Sequence, residues 1–172
     1  MVLIAAQPRA VGRGAKADVF ASANMAHPQA LADAGKSSPV LLFARNKLCA
    51  LVRPALFVTT DTLLDRMLDP NVKLGTSTPK PDPSGDYAFQ VFAKADAIRP
   101  GARAILEAKA LQLTGGASSA QPPSGRNAYG WHVAEGHADI FVAYCTATRE
   151  ALQQNPDQKS VPLPDTLAVG QL

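Results

Sequence analysis

Two loops in this chain pair a serine with a glycine just ahead of an expected helix. Pro81-Asp82-Pro83-Ser84-Gly85 lies between an expected strand and a helix, and Ser124-Gly125-Arg126-Asn127 repeats the arrangement before a later helix. The first N–H groups of a helix have no partner within it and carry about half a positive charge, so an oxyanion there supplies the missing acceptors. Either loop is also ordinary capped-turn chemistry. Other reactive side chains are dispersed. His27 precedes a proline at a helix start, His132 lies on a helix face and His137 in a turn, without metal-ligand spacing or a triad. Asp82, Asp86 and Asp139 suit helix starts or turns. Tyr129, Trp131 and Phe141 read as packing between a helix and a strand. Cys49 and Cys145 are far apart and lack CxxC spacing, which excludes a zinc finger. No catalytic constellation emerges, so an enzyme is not expected.

The elements that must position these residues alternate. Residues 17–23 read as a short buried strand, followed by a helix over 26–34 that stops at Gly35. The apolar runs 40–44 and 48–52, separated by Arg45-Asn46-Lys47, fit one long strand or two collinear ones. Asp61 can cap a helix over 62–68, and 72–76 reads as the next strand. Helices are expected at 87–97, 101–111 and 128–135, the last closing at Gly136. Residues 140–145 form the clearest strand, and a final one covers 160–163 or runs on toward Val169. Strands separated by helices imply an α/β fold with mainly parallel sheets, and such sheets bind ligands in the loops after their strands.

Composition narrows the partners. The 172 residues suffice for one good core or two small lobes. With 47% hydrophobic and 18% charged residues the chain is ordinary globular protein. The net charge of +3 is spread without a basic block, so nucleic acid is not an expected partner. No apolar run approaches the ~18 residues of a membrane span, and the apolar lead of residues 1–6 is shorter than a signal-peptide core.

Four motifs in order carry a resemblance that spans about residues 12–170. GAKADVFASAN at 14–24 is similar to the stretch GAPADVFISAD of the molybdate-binding protein family, and FARNKL at 43–48 to its FARNRLVLI. Leu74-Gly75-Thr76 with Pro79 and PSGDYA at 83–88 resembles IAIGDPKTVPAGRYA, and VAEGHADIFVAY at 133–144 resembles VASGEADAGIVY. The resemblance implies the type II periplasmic-binding-protein fold. In that fold two α/β lobes joined by two crossing strands close over dehydrated molybdate or tungstate, held by neutral hydrogen-bond donors. It implies a periplasmic, monomeric carrier that needs no cofactor and hands its oxyanion to the permease of an ABC importer. A ligand-sensing regulatory domain on the same fold is the alternative.

Carried over by position, Ser84 with Gly85 offers a backbone N–H, Arg126 falls on the corresponding residue before the third helix, and Tyr144 falls on the hinge tyrosine whose hydroxyl donates to the anion. Arg126 replaces a small apolar residue; it either adds charge to the pocket or points outward with only its backbone used. Cys145 and Thr146 also depart from the residues that usually follow the tyrosine. Measured against the family the chain is expected to be truncated at both ends. Residues 47–143 then form the second lobe, and 14–46 with 144–172 an incomplete first lobe. The crossing strands would bring Cys49 and Cys145 side by side, either as a disulfide or as two buried thiols on opposite faces.

Overall fold

The computed structural model describes residues 2–4, 17–22 and 25–169. The chain divides into two compact units, Met1–Arg45 and Asn46–Leu172. In the first, β1 (Val2–Ile4) pairs in parallel with β2 (Val19–Ala21), in the register Val2 to Val19. The helix α1 (Ala26–Asp33) ends as expected: Gly35 takes φ +67°, and the N–H groups of Gly35 and Lys36 donate back to Ala32 and Leu31. Gly14 to Lys16 and Ala23 to Asn24 of the first motif lie outside the described residues. The expected strand at 40–44 has no regular structure, and Leu41 and Phe43 are 82% and 78% exposed. An apolar run becomes a strand only when a neighbour takes its backbone hydrogen bonds, and no described strand does so here.

The second unit begins with β3 (Leu48–Val52) and the short α2 (Leu63–Leu68). There follow β4 (Leu74–Ser77), α3 (Pro83–Ile98), α4 (Ala102–Lys109) and β5 (Leu111–Thr114). It continues through α5 (Ala128–Ala134), β6 (Ile140–Tyr144), α6 (Cys145–Gln154) and β7 (Lys159–Pro162) to a 3₁₀ turn at Asp165–Leu167. The strands form one sheet in the order β5-β4-β6-β3-β7. β4 is parallel to β5 and β6, whereas β3 runs antiparallel to β6 and β7. This is the mixed α/β architecture that the strand–helix alternation implied, with three of the five described strand pairings in the two units parallel.

Every residue of β3 is buried, because helices cover both faces of the sheet. Leu48, Ala50 and Val52 point into a cluster with Val91 and Phe92 of α3 and Leu106 of α4. Leu51 points the other way, among Val133 of α5, Phe141 of β6 and Ala151 of α6. The period-two alternation of a strand thus serves two cores at once.

Several boundaries differ from expectation. Thr62, not Asp61, is the N-cap of α2, and the turn is tied by Thr59 N donating to Thr62 Oγ1 at 2.9 Å. α3 starts at Pro83 and not at 87, because Pro83 suits the first helical position and the Asp82 side chain accepts from Ser84 N. The helix expected over 101–111 stops at Lys109, and Leu111–Thr114 forms an edge strand. The strand expected to reach residue 145 ends at Tyr144, where α6 begins. Residues 144–172 lie in the compact unit that starts at Asn46. β7 pairs with β3 through Ala50 to Val161, and α6 covers Leu51 and Phe141, so the sheet at 48–144 is completed by the segment that follows it.

Candidate functional site

The carboxyl ends of β4, β5 and β6 meet the start of α3. Ser77 Oγ and Thr114 Oγ1 are 2.8 Å apart, and Thr78 donates to the Thr114 carbonyl from its N (2.8 Å) and its Oγ1 (2.9 Å). These bonds lock β4 to β5 at the point where the chain leaves the sheet. Lys80 then adopts φ +73°, and its N–H donates to Asp86 Oδ1 at 2.8 Å, closing the loop onto the helix it precedes. Gly85 lies so close to β4 that a Cβ there would come within 2.6 Å of the Ser77 carbonyl oxygen.

The backbone N–H groups expected to be free at this helix start are taken. Ser84 N donates to Asp82 Oδ1 and Gly85 N to the Asp82 carbonyl, each at 2.9 Å. What remains is the Ser84 hydroxyl, buried and without a partner among the described residues. Tyr144, at the end of β6 opposite Leu48, is in the same state: its hydroxyl is buried and lacks a partner among the described residues. Its ring meets Tyr87 of α3 edge-on at 6.1 Å. Burial above all, then Tyr87 and the charge of Asp82, push this hydroxyl far above the ordinary phenol range, so it stays a protonated donor. Two side chains of unmet hydrogen-bonding capacity therefore belong to adjoining elements, as a ligand site requires.

Arg126 does something else. Its N–H donates to the Pro123 carbonyl at 3.0 Å, and its Nη2 reaches Asn155 Oδ1 at 3.2 Å beyond the end of α6. Asn127 N donates to Gln154 Oε1, and Gln154 Nε2 to the Gly125 carbonyl, so the loop is clamped to α6. Its backbone thus closes a turn and its guanidinium serves a helix end.

Three residues read from sequence as caps or packing also act electrostatically on Tyr144. Asp82 raises the hydroxyls of both Tyr144 and Tyr129. Tyr129 packs edge-on against Phe141 at 5.1 Å, and burial is the main cause of its own upward shift. Asp86 contributes a second carboxylate to the start of α3. The signal in the sequence for the two acids is the spacing Asp82, Ser84, Asp86, which puts one acid at the N-cap and one in the first turn of the same helix. Among the described residues no group of three or more His, Cys, Asp or Glu could hold a metal, and no helix is long and apolar enough to cross a membrane.

Comparison with known proteins agrees with this architecture. The profile of the bacterial extracellular solute-binding protein family matches residues 5–172. The uncharacterized protein PM1146 of Pasteurella multocida (strain Pm70) is 33% identical over 156 residues, which cover 90% of this chain and 64% of that protein. Among solved structures, the substrate-binding domain assigned to a molybdenum ABC transporter of Clostridium difficile is 19% identical with a TM-score of 0.56, over 92% of this chain and 61% of its own. A glycosylated form of PEB3 is 13% identical with a TM-score of 0.51, over 95% and 75%. The chain thus spans somewhat under two thirds of the first two proteins, and at these identities the structural likeness speaks for the fold. The match over residues 5–172 shows that the chain belongs to the bacterial extracellular solute-binding protein family.

Proposed function

We propose that the protein binds a small tetrahedral oxyanion at the face formed by the start of α3 and the end of β6, and that it delivers the ion in the periplasm to the permease of an ABC importer. It is a carrier and not a catalyst. The observation that carries this reading is the pair of buried hydroxyls, Ser84 and Tyr144, that have no partner among the described residues. Both are neutral donors at neutral pH, and buried donors of this kind pair with a desolvated anion without leaving a surplus of positive charge. The solved relative associated with a molybdenum transporter supports the class of cargo, and molybdate and tungstate are the members that the sequence motifs suggest.

Titration calorimetry with molybdate, tungstate, sulfate and phosphate tests the reading. Ser84→Ala and Tyr144→Phe are each expected to weaken binding of the preferred ion by roughly tenfold, the scale of one hydrogen bond to a charged group. Wild-type affinity in both variants, or no heat with any of the four ions, counts against it.

A further inference from the structure

Two histidines meet at the end of α5. The helix closes on Gly136 at φ +69°, with Gly136 N donating to the Val133 carbonyl at 3.2 Å and His137 N to the His132 carbonyl at 2.9 Å. These two bonds set the residue after the glycine beside the one five positions earlier, where a pair of apolar side chains commonly touches. Here both side chains are imidazoles. Their Nδ1 atoms lie 3.1 Å apart and their ring centroids 5.3 Å apart. A separation of five residues carries no metal-ligand signal in a sequence, because the turn at Gly136, and not a helical face, brings these rings together.

The surroundings suit coordination. His132 is buried, and its ring stacks on Phe141 at 6.2 Å and meets Trp131 at 4.7 Å, which fixes its orientation. Burial also keeps this imidazole neutral at physiological pH, the form that binds metals. His137 is exposed, so its ring can turn its Nδ1 lone pair onto an ion that His132 holds. Two metal–nitrogen bonds of about 2.0–2.1 Å that meet at roughly 100° separate their nitrogens by the distance already present between the two rings. Both cysteines of the chain are joined in the disulfide, so no thiolate competes for the ion. We propose that His132 and His137 hold one divalent transition-metal ion of the imidazole-preferring class, Zn²⁺ or Cu²⁺, through their Nδ1 atoms, with water in the remaining positions. Without the ion one ring donates its Nδ1–H to the other. The ion replaces that hydrogen, and the displaced proton moves through water to the other nitrogen of the same ring, so both rings coordinate as neutral imidazoles.

The single tryptophan of the chain reports on this site, since Trp131 lies 4.7 Å from the His132 ring and 5.3 Å from the His137 ring. Open-shell Cu²⁺ quenches a neighbouring indole, whereas closed-shell Zn²⁺ does not. Titration with Cu²⁺ at pH 7.5 is expected to quench Trp131 fluorescence and to saturate at one ion per chain, and an excess of Zn²⁺ to reverse the quench. His132→Gln and His137→Gln are each expected to weaken Cu²⁺ binding by roughly tenfold or more, because even a residue that only supports a ligand matters on that scale. His137 is exposed, so His137→Gln leaves the core intact and carries the test if the buried variant folds poorly. A wild-type quench curve in His137→Gln, a quench that excess Zn²⁺ does not reverse, or no saturable quench in wild type overturns the proposal. None of these outcomes bears on the oxyanion reading.

Discussion

Gly85 shows how little space separates the candidate site from its scaffold. A methyl group there meets backbone atoms of Ser77, Thr78 and Pro79 at 2.6 to 2.7 Å, and none of these is a flexible side-chain end. Gly85→Ala is therefore expected to cost about 1–3 kcal/mol, more than the helix propensity it gains, and a urea midpoint equal to wild type would contradict this. His132 supplies a second expectation. Its Nδ1 lies 3.1 Å from His137 Nδ1, and burial, then the like charge of His137, hold the His132 imidazole below its usual range, against a smaller pull from the Leu113 backbone. A histidine with a depressed folded-state value binds more protons unfolded, so its contribution is complete above the unfolded value of about 6.5 and is lost as the pH falls through the folded value. Thermal melts should show stability declining below about pH 6.5, with a shallower decline in His132→Gln; equal slopes in both proteins would remove His132 as the cause. At this scale the sequence was informative about position and silent about direction. The motif matches placed Ser84 and Tyr144 on elements that the structure brings together through Tyr87. They could not tell that the Arg126 guanidinium turns to Asn155 or that Asp82 fills the helix start, because both depend on side-chain geometry that spacing does not encode.

Elements were legible where burial imposes a pattern. β3, fully buried, and β6, buried up to Tyr144, read as continuous apolar runs, and Gly35 and Gly136, at φ +67° and +69°, mark the ends of α1 and α5. Misreadings fall where burial is slight. In β5 Leu111 and Gln112 are exposed and only Thr114 is buried, so an edge strand of four residues looks like the tail of the helix before it. α6 buries only Thr148 and Ala151, too narrow a stripe to announce a helix after so strong a strand. Residues 40–44 err the other way: the apolar run is genuine, but strand formation needs a pairing partner that local sequence cannot supply. The start of α3 was misplaced by four residues because Pro83 reads equally as a loop residue and as a first helical residue.

For the molecule as a whole the consequential feature is the link between the two antiparallel strands at the centre of the larger sheet. β3 and β6 pair with Cys49 opposite Ala143, and Cys145 follows at the start of α6 with its N–H donating to the Lys47 carbonyl. Of the two arrangements open for these cysteines, the structure holds the disulfide, with Cα atoms 4.8 Å apart and a sequence separation of 96. The enclosed segment carries most of β3 and all of α2, β4, α3, α4, β5, α5 and β6, and hence the residues of the candidate site. A cross-link over so long a loop removes much of the freedom of the unfolded chain, worth up to ~4.7 kcal/mol in the chain-entropy model, and extracellular proteins keep such bonds oxidised. Reduction, or the Cys49→Ser/Cys145→Ser pair, is expected to lower the melting temperature by roughly 10 °C without unfolding the protein at 25 °C, since β3 keeps its pairing with both β6 and β7. Calorimetric scans with and without a phosphine reductant measure this directly. A fall of less than about 2 °C on complete reduction would mean that the unfolded chain gains little from losing the link, and that the sheet alone sets the stability of this unit.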